Sequence, residues 1–384
     1  MERARFVLRL EQGERMSDLC REFGISRKTG YKLKQRYEAM GVEAFGDQSR
    51  RPITSPYRTP TAIEEAIVSL RKERPTWGPE KLLDVLNRSE PGVRWPGKST
   101  TSRILAKHGL AQGKKRRRYP KSTGTPLGHA QAPNDIWCAD FKGEFRLGNG
   151  QYCYPLTISD AYSRYLLCCE AFEGPRLGPT RAAFESTFAR FGLPKAIRTD
   201  NGAPFASPGL FSLSKLSVWW WRLGIRSERI EPGHPEQNGR HERMHLTLKQ
   251  EATRPPGDNV LQQQERFDHF LEDYNEQRPH QALGNQRPAE LYHASVRSLP
   301  SELAPLSYPL HDLTRKVSSY GVVYMGRRKR YRLSAALAGE LVGLREVEVD
   351  RWLVTWRHLD LGHLNVESGE FEPGLPPEEL LPMS

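Results

Sequence analysis

The sequence predicts a multidomain chain: an all-α, strongly basic N-terminal third, a mixed α/β core, and a small β-barrel at the C-terminal end. Three observations carry this prediction. Positive charge is concentrated at one end, the apolar period changes from helical to alternating near residue 132, and alternation returns after residue 306. At 384 residues the chain has room for two or three domains. The net charge is +12, yet residues 1–131 hold 28 basic against 14 acidic side chains, so the remainder sums to −2. A localised cationic excess is the electrostatic footprint of a phosphate-backbone binder. No apolar run approaches the roughly 20 positions a membrane helix needs, and "MERARFVLRLEQGER" lacks a signal-peptide core. These features predict a cytoplasmic protein with no membrane partner. Cys20, Cys138, Cys153, Cys168 and Cys169 are odd in number and lack zinc spacing, which predicts buried thiols.

The N-terminal third reads as two helix-turn-helix modules, over 1–50 and 60–112. In "MSDLCREFGISRKTGYKLKQRYEAMG", Leu19, Cys20 and Phe23 take helical spacing, Gly24 and Ile25 turn, and Ser26 caps a second, cationic helix. The N-terminal side chains of such a helix reach base edges in the major groove. Arg27, Lys28, Thr29 and Lys32 are therefore the candidate DNA contacts. "AIEEAIVSLRKERP", "GPEKLLDVLNRS" and "KSTTSRILAKHGL" repeat the layout, with Thr61 and Ser99 as expected caps. A basic linker spans 113–131. Its run Lys114, Lys115, Arg116, Arg117 and Arg118 repels itself, stays extended, and suits phosphates.

From 132 to 295 the pattern is α/β. "NDIWCADFKGEF" and "CYPLTISDAYSRYLLCCEAF" read as antiparallel strands, "PTRAAFESTFARFG" as a helix, and "KAIRTDNG" as a strand ending in a turn. Asp140 interrupts an aromatic strand and Asp200 ends another. Two carboxylates at about 4 Å repel by about 4 kcal/mol at an effective dielectric near 20. A divalent cation removes that cost, and hard oxygen ligands suit Mg²⁺ or Mn²⁺.

"WCADF", "RTDNGAPF", "HPEQNGRHERMHLTLK" and "YNEQRPHQALGNQRPAELY", in this order, resemble a bacterial insertion-sequence transposase with a retroviral-integrase-type core, the DDE family. The resemblance covers roughly residues 5–295. It implies a ribonuclease H-like catalytic core in which Asp140, Asp200 and a glutamate hold two Mg²⁺ ions, Mn²⁺ substituting. It also implies cleavage that frees a 3′-OH at the ends of a mobile element, and joining of that end to target DNA. The partners are then double-stranded inverted-repeat and target DNA, with a homo-oligomer assembled on it. Two other readings are a domesticated, non-catalytic DNA-binding protein and a ribonuclease H-like nuclease that joins nothing.

Two glutamates compete for the third position. Glu236 has the family's commonest spacing from Asp200, with 35 residues between them. The motif register of Pro235, Gln237, Asn238 and Gly239 selects Glu242 instead. Glu242 belongs to a helix, where His245, Leu246 and Lys249 share its face, with Leu246 as anchor and His245 and Lys249 as DNA contacts. Asp160 in "ISDAYSRY" is read as a turn former, and Trp219, Trp220 and Trp221 as a half-buried helix. After Leu306, "GVVYMGRRKRYRL" and the strands that follow suggest the barrel, over 306–370, with a basic edge at Arg327 to Arg332. Residues 1–122 alone are expected to bind element-end duplex with steep salt dependence. Specific binding undiminished in a chain lacking them would contradict that expectation.

Overall fold

The computed structural model describes residues 2–47, 58–111, 130–230, 239–326 and 329–377, in two compact units, Met1–Pro60 and Thr61–Ser384. In the first unit α1 (Glu2–Glu11), α2 (Met16–Glu22) and α3 (Arg27–Met40) bury Phe6, Val7, Leu19 and Cys20. Ser26 starts α3 as expected: its hydroxyl accepts from the Thr29 amide at 3.2 Å, satisfying one of the orphan donors of the first turn. Gly30 lets the helices approach closely, because a Cβ there would lie 2.7 Å from Met16 Sδ and 2.8 Å from Cys20 Sγ. Arg27, Lys28, Thr29 and Lys32 are exposed.

The second unit opens with α4 (Thr61–Glu73), α5 (Pro79–Ser89) and α6 (Lys98–Lys107) around Ile67, Trp77, Leu82 and Ile104. Ser99 does not cap α6. Extended Gly97 precedes the helix without a side-chain cap, so Ser99 already lies inside its first turn. This module is bound to the core by charge. Arg74 pairs with Asp273 at 2.5 Å, Arg88 with Glu290 at 2.5 Å, Gln281 donates to Glu80 at 2.9 Å, and Thr76 donates to Glu251. Residues 61–111 thus belong to the same compact unit as the core, where the sequence suggested a separate domain.

The core contains β1 (Ile136–Phe141), β2 (Phe145–Arg146), β3 (Tyr152–Asp160), β4 (Leu166–Phe172), α7 (Leu177–Phe191), β5 (Ala196–Thr199), α8 (Lys215–Arg222), β6 (Arg226–Arg229), α9 (Gly239–Glu251), α10 (Val260–Glu272) and α11 (Pro288–Leu291). Its main sheet runs β4-β3-β1-β5-β6, and β2 pairs with the start of β3. The β4-β3-β1 pairings are antiparallel and the β1-β5-β6 pairings parallel. This is the ribonuclease H-like arrangement the resemblance implied. Strand alternation sends Leu156 and Ile158 to the face covered by Phe184, Phe188, Trp219 and Trp220. Cys153, Leu166 and Cys169 pack on the other side with Met244, Leu248, Phe267 and Phe270. All five cysteines are free and buried. No helix among the described residues is long and apolar enough to cross a membrane.

The tail holds β7 (Leu313–Lys316), β8 (Val322–Met325), β9 (Lys329–Arg332), β10 (Leu341–Glu348), β11 (Arg351–Trp356), β12 (Leu359–Asn365) and β13 (Glu370–Pro373). A closed barrel was expected. The described strands instead form an open sheet, β13-β12-β11-β10-β7, beside a β8-β9 hairpin. Packing supplies the reason: Val323 and Tyr331 of the hairpin enter the same core as Val342, Leu344, Val354 and Leu361 of the sheet. Side chains therefore cover the apolar face without a further ladder. Trp221 and Val218 of α8 enter this core too, while Trp219 and Trp220 enter that of the α/β sheet. The tryptophan run is fully buried and joins two cores. Trp221→Ala should cost about 3–5 kcal/mol and speed amide exchange in β10 and β11 more than in β1 and β3. Equal acceleration in both sheets would contradict a linking role.

Candidate active site

Two carboxylates reach one end of the sheet because their strands are parallel neighbours. Asp140 is the penultimate residue of β1, facing Thr157 of β3 across the antiparallel pair. Asp200 directly follows β5, the parallel neighbour of β1. Residues at the carboxyl ends of adjacent parallel strands open on the same crevice. The Asp200 carboxylate accepts from the Gly202 amide at 3.1 Å, and a Cβ at Gly202 would come within 3.0 Å of it. That close approach is what the glycine of "DNG" permits. Glu242 lies in the first turn of α9 with its side chain exposed.

Electrostatics ties the three together. Burial, then the Asp200 charge, pushes the Asp140 carboxyl up to about 7; a bond from the Phe141 amide opposes this, and the Glu242 charge adds to it. Burial also raises Asp200, against the Gly202 amide bond. Lys142, just beyond β1, is held below its usual range by burial and by the charges of Lys249 and Arg254. A cationic rim thus adjoins the carboxylates.

Helix α9 is fastened to β3 by two histidines. His241 Nε2 lies 2.8 Å from Thr157 Oγ1 and its Nδ1 2.9 Å from Ser159 Oγ. His245 Nε2 lies 2.7 Å from the same Thr157 oxygen, and its Nδ1 is 3.8 Å from Asp140 Oδ2. Thr157 Oγ1 also lies 3.2 Å from the Asp140 carbonyl. One hydroxyl carries one proton, so at least one histidine donates to Thr157 from Nε2. Burial lowers His241 to about 3; burial, helped by His241 and Lys142, lowers His245 to about 2. Both rings are neutral at ordinary pH.

This geometry corrects two expectations about α9. Leu246, the expected anchor, is 47% exposed, while His241, Met244, Leu248 and Ala252 form the buried face. His245, expected as a DNA contact, turns its ring onto Thr157 with a side chain 12% exposed. The apolar face lies one residue away from Glu242, so Glu242 and Lys249 stay outward. Asp160 is a buried turn former whose carboxylate accepts from the Asn134 amide and from the Ser163 amide and hydroxyl, each at 2.7 Å. Thr29 spends its hydroxyl on the Ser26 cap at 2.9 Å. Lys114, Lys115, Arg116, Arg117 and Arg118 lie outside the described residues, as do Pro235, Glu236, Gln237, Asn238 and Arg327. Thr157, Ser159, Lys142 and Arg254 were not singled out from sequence. The alternation of "LTIS" put Thr157 and Ser159 on one face, and that signal was legible.

An integrase core domain model matches residues 130–235 and a second one residues 223–288. A helix-turn-helix domain model matches residues 2–53, and a homeodomain-like model residues 29–105. The chain is 29% identical over 232 residues to an insertion element IS407 protein of Burkholderia multivorans, covering 58% of this chain and 78% of that one. It is 26% identical over 245 residues to an insertion element IS476 protein of Xanthomonas euvesicatoria, covering 62% and 66%. Among solved structures, the HTLV-2 integrase catalytic core in complex with magnesium aligns over 43% of this chain and all of its own, at 16% identity and a TM-score of 0.35. The simian T-cell lymphotropic virus intasome in complex with PP2A regulatory subunit B56 gamma aligns over 77% and 97%, at 18% identity and a TM-score of 0.39.

Fold and domain matches together define a chain with an integrase-type core behind helix-turn-helix domains. The curated relatives it resembles are proteins of bacterial insertion elements.

Asp140 supplies a pH test. In the folded, metal-free chain it deprotonates at about 7 against an ordinary 3.8, so the folded state keeps a proton that the unfolded chain has released. Its contribution is full below pH 4 and is lost as pH rises through 7. Asp140→Asn should therefore melt above the unsubstituted chain at pH 8, with the gap closing towards pH 4. Mg²⁺ should raise the melting temperature of the unsubstituted chain at pH 8 more than that of Asp140→Asn. Parallel melting curves for the two proteins across this range would remove Asp140 from the account.

Proposed function

We propose that the protein is a DDE transposase that binds the inverted-repeat ends of its own mobile element, cleaves to leave a 3′-OH, and joins that end to target DNA. The observation that carries the reading is the placement of Asp140 and Asp200 at the carboxyl ends of neighbouring parallel strands, where burial first, then the Asp200 charge, pushes the Asp140 carboxyl up to about 7. Asp140 and Asp200 at the carboxyl ends of neighbouring parallel strands, with Glu242 near enough to act on Asp140, offer hard oxygen donors that suit a divalent cation. Asp140, Asp200 and Glu242 would hold Mg²⁺, as two ions, with Mn²⁺ a substitute. When bound, such ions lower the pKa of a nucleophilic water and stabilise the oxygen that leaves in an in-line displacement.

The protein's own groups do the positioning. Thr157, through His241 and His245, fixes the distance between α9 and β1, and so the approach of Glu242 to Asp140. Lys142, Lys249 and Arg254 supply positive charge beside the carboxylates, where a phosphodiester backbone would lie. Arg27, Lys28 and Lys32 on the exposed start of α3 would read the element end, with Thr29 alongside. Lys114 to Arg118 would lie along phosphates whatever the sequence. Synapsis of two ends calls for at least two copies of the chain on DNA.

Purified protein, Mg²⁺ and element-end duplex test the reading directly. Joined product is expected; cleavage without joining would indicate a nuclease, and binding alone a domesticated DNA-binding protein. Glu242→Gln should abolish cleavage and joining while leaving end binding intact, and Glu236→Gln should retain most activity. The reverse pattern would transfer the third carboxylate to Glu236.

A further inference from the structure

A second site lies where the 61–111 helical module meets the core. Parts of α5, the β3–β4 turn, α9 and the segment after α10 enclose a cavity of about 410 Å³ whose walls carry Lys81, Arg164, Arg243, Arg278 and His280. Among the described residues no aspartate or glutamate lines it. Arg278 is anchored by Glu251 at 2.5 Å. Arg164 is presented by a left-handed turn, φ 63°, closed by its amide on the Asp160 carbonyl at 2.9 Å. The Asp160 cluster therefore shapes the turn that delivers a cation to this cavity.

Among the described residues one buried ring nitrogen lacks a partner and one half-buried cation stands unpaired. Lys81 has no hydrogen-bond or ion-pair partner among the described residues. Burial, then the Arg278 charge, holds its ammonium down to about 8, with Glu251 opposing and Arg243 adding. His280 is 9% exposed, and its Nε2 has no hydrogen-bond partner among the described residues. Its ring is lowered to about 3 by burial and by Lys81, Arg278 and Arg164, while a backbone bond at Tyr274 opposes. Buried polar atoms are normally satisfied, and like charges are not normally gathered without a counter-charge. An anion opposes both shifts: it lifts Lys81 back towards its usual range and gives His280 a reason to carry a proton.

We propose that this cavity is a phosphate pocket that grips one backbone phosphodiester of the DNA held by this chain. Guanidinium and ammonium donors converging on one cavity suit phosphate oxygens. The walls decide the source of the phosphate. One comes from α5 of the helix-turn-helix module and another from α9, where Arg243 follows Glu242, and a single DNA strand would contact both elements together. The phosphate chemistry rests on the cavity itself, whereas the DNA source rests on the function proposed above.

The test uses the full chain, a labelled random-sequence duplex, and affinity measured over a NaCl series. Lys81→Gln and Arg164→Gln should each weaken binding several-fold and reduce the slope of log affinity against log salt by about 0.9, the value for one phosphate contact. Lys81→Arg should restore both, which separates lost charge from lost fold. Inorganic pyrophosphate should compete with duplex for the unsubstituted chain more strongly than for the Lys81→Gln/Arg164→Gln double variant. Unchanged affinity and slope in all of these variants would overturn the pocket. Loss of pyrophosphate binding with unchanged duplex binding would assign the cavity to a small anion and overturn the DNA source. A changed slope in a chain that joins no DNA would sink the transposase reading and leave the pocket standing. Normal joining with an unchanged slope would sink the pocket alone.

Discussion

The register of β1 between its two neighbours is the constraint on which the active site depends. On one side β1 runs antiparallel to β3, which sets Asp140 opposite Thr157. On the other it runs parallel to β5, which brings Asp200 to the same end of the sheet. A slip of one residue would turn Asp140 to the opposite face, where Leu156, Ile158, Phe184 and Phe188 form an apolar core. Burial of that core therefore fixes where the carboxylate points. The burial of Asp140, and after it the Asp200 charge, is a cost that the fold's hydrophobic register imposes and that a cation can remove.

Helix α9 is held to this sheet by polar contacts as well as apolar ones. Met244 and Leu248 supply burial, but His241 and His245 meet Thr157 and Ser159 at hydrogen-bond distance. A satisfied buried network is directional, and apolar packing is not. The helix is thereby fixed in rotation, so that Glu242 and Lys249 remain outward on the side of Asp140 and Lys142. The same helix ends in Glu251, which engages Thr76 of the helical module and Arg278 of the core. One helix thus spans from the carboxylates to the docked helix-turn-helix module. Similarly, α8 divides its tryptophans between the α/β core and the tail.

Much of this was legible in the residues. Helix-turn-helix spacing, the Ser26 cap, the strand order beginning at "WCAD", the turn role of Asp160 and the buried thiols all follow from local rules of capping, alternation and composition. Local rules failed where two elements compete for one side chain. Leu246 looked like an anchor because leucine normally is one, yet the buried face of α9 is set by β3, whose Thr157 and Ser159 select histidines. Ser99 looked like a cap because serine favours that position, yet Gly97 is where the chain enters the helix. The expected barrel is an open sheet with a hairpin packed on it, because strand patterning reports which face is apolar and not which edges pair.

By itself, the sequence determined the identity of the elements, the division into a basic helical third and an α/β core, and the integrase-type motif order, because these depend on periodicity and on the sequence of motifs along the chain. Tertiary structure alone decided that Asp140 carries the raised pKa, that Lys142 and Arg254 stand with Lys249, and that Lys81, Arg164 and His280 share one cavity. Those groups are far apart in sequence, and both a charge's neighbours and its access to water are properties of the packed chain.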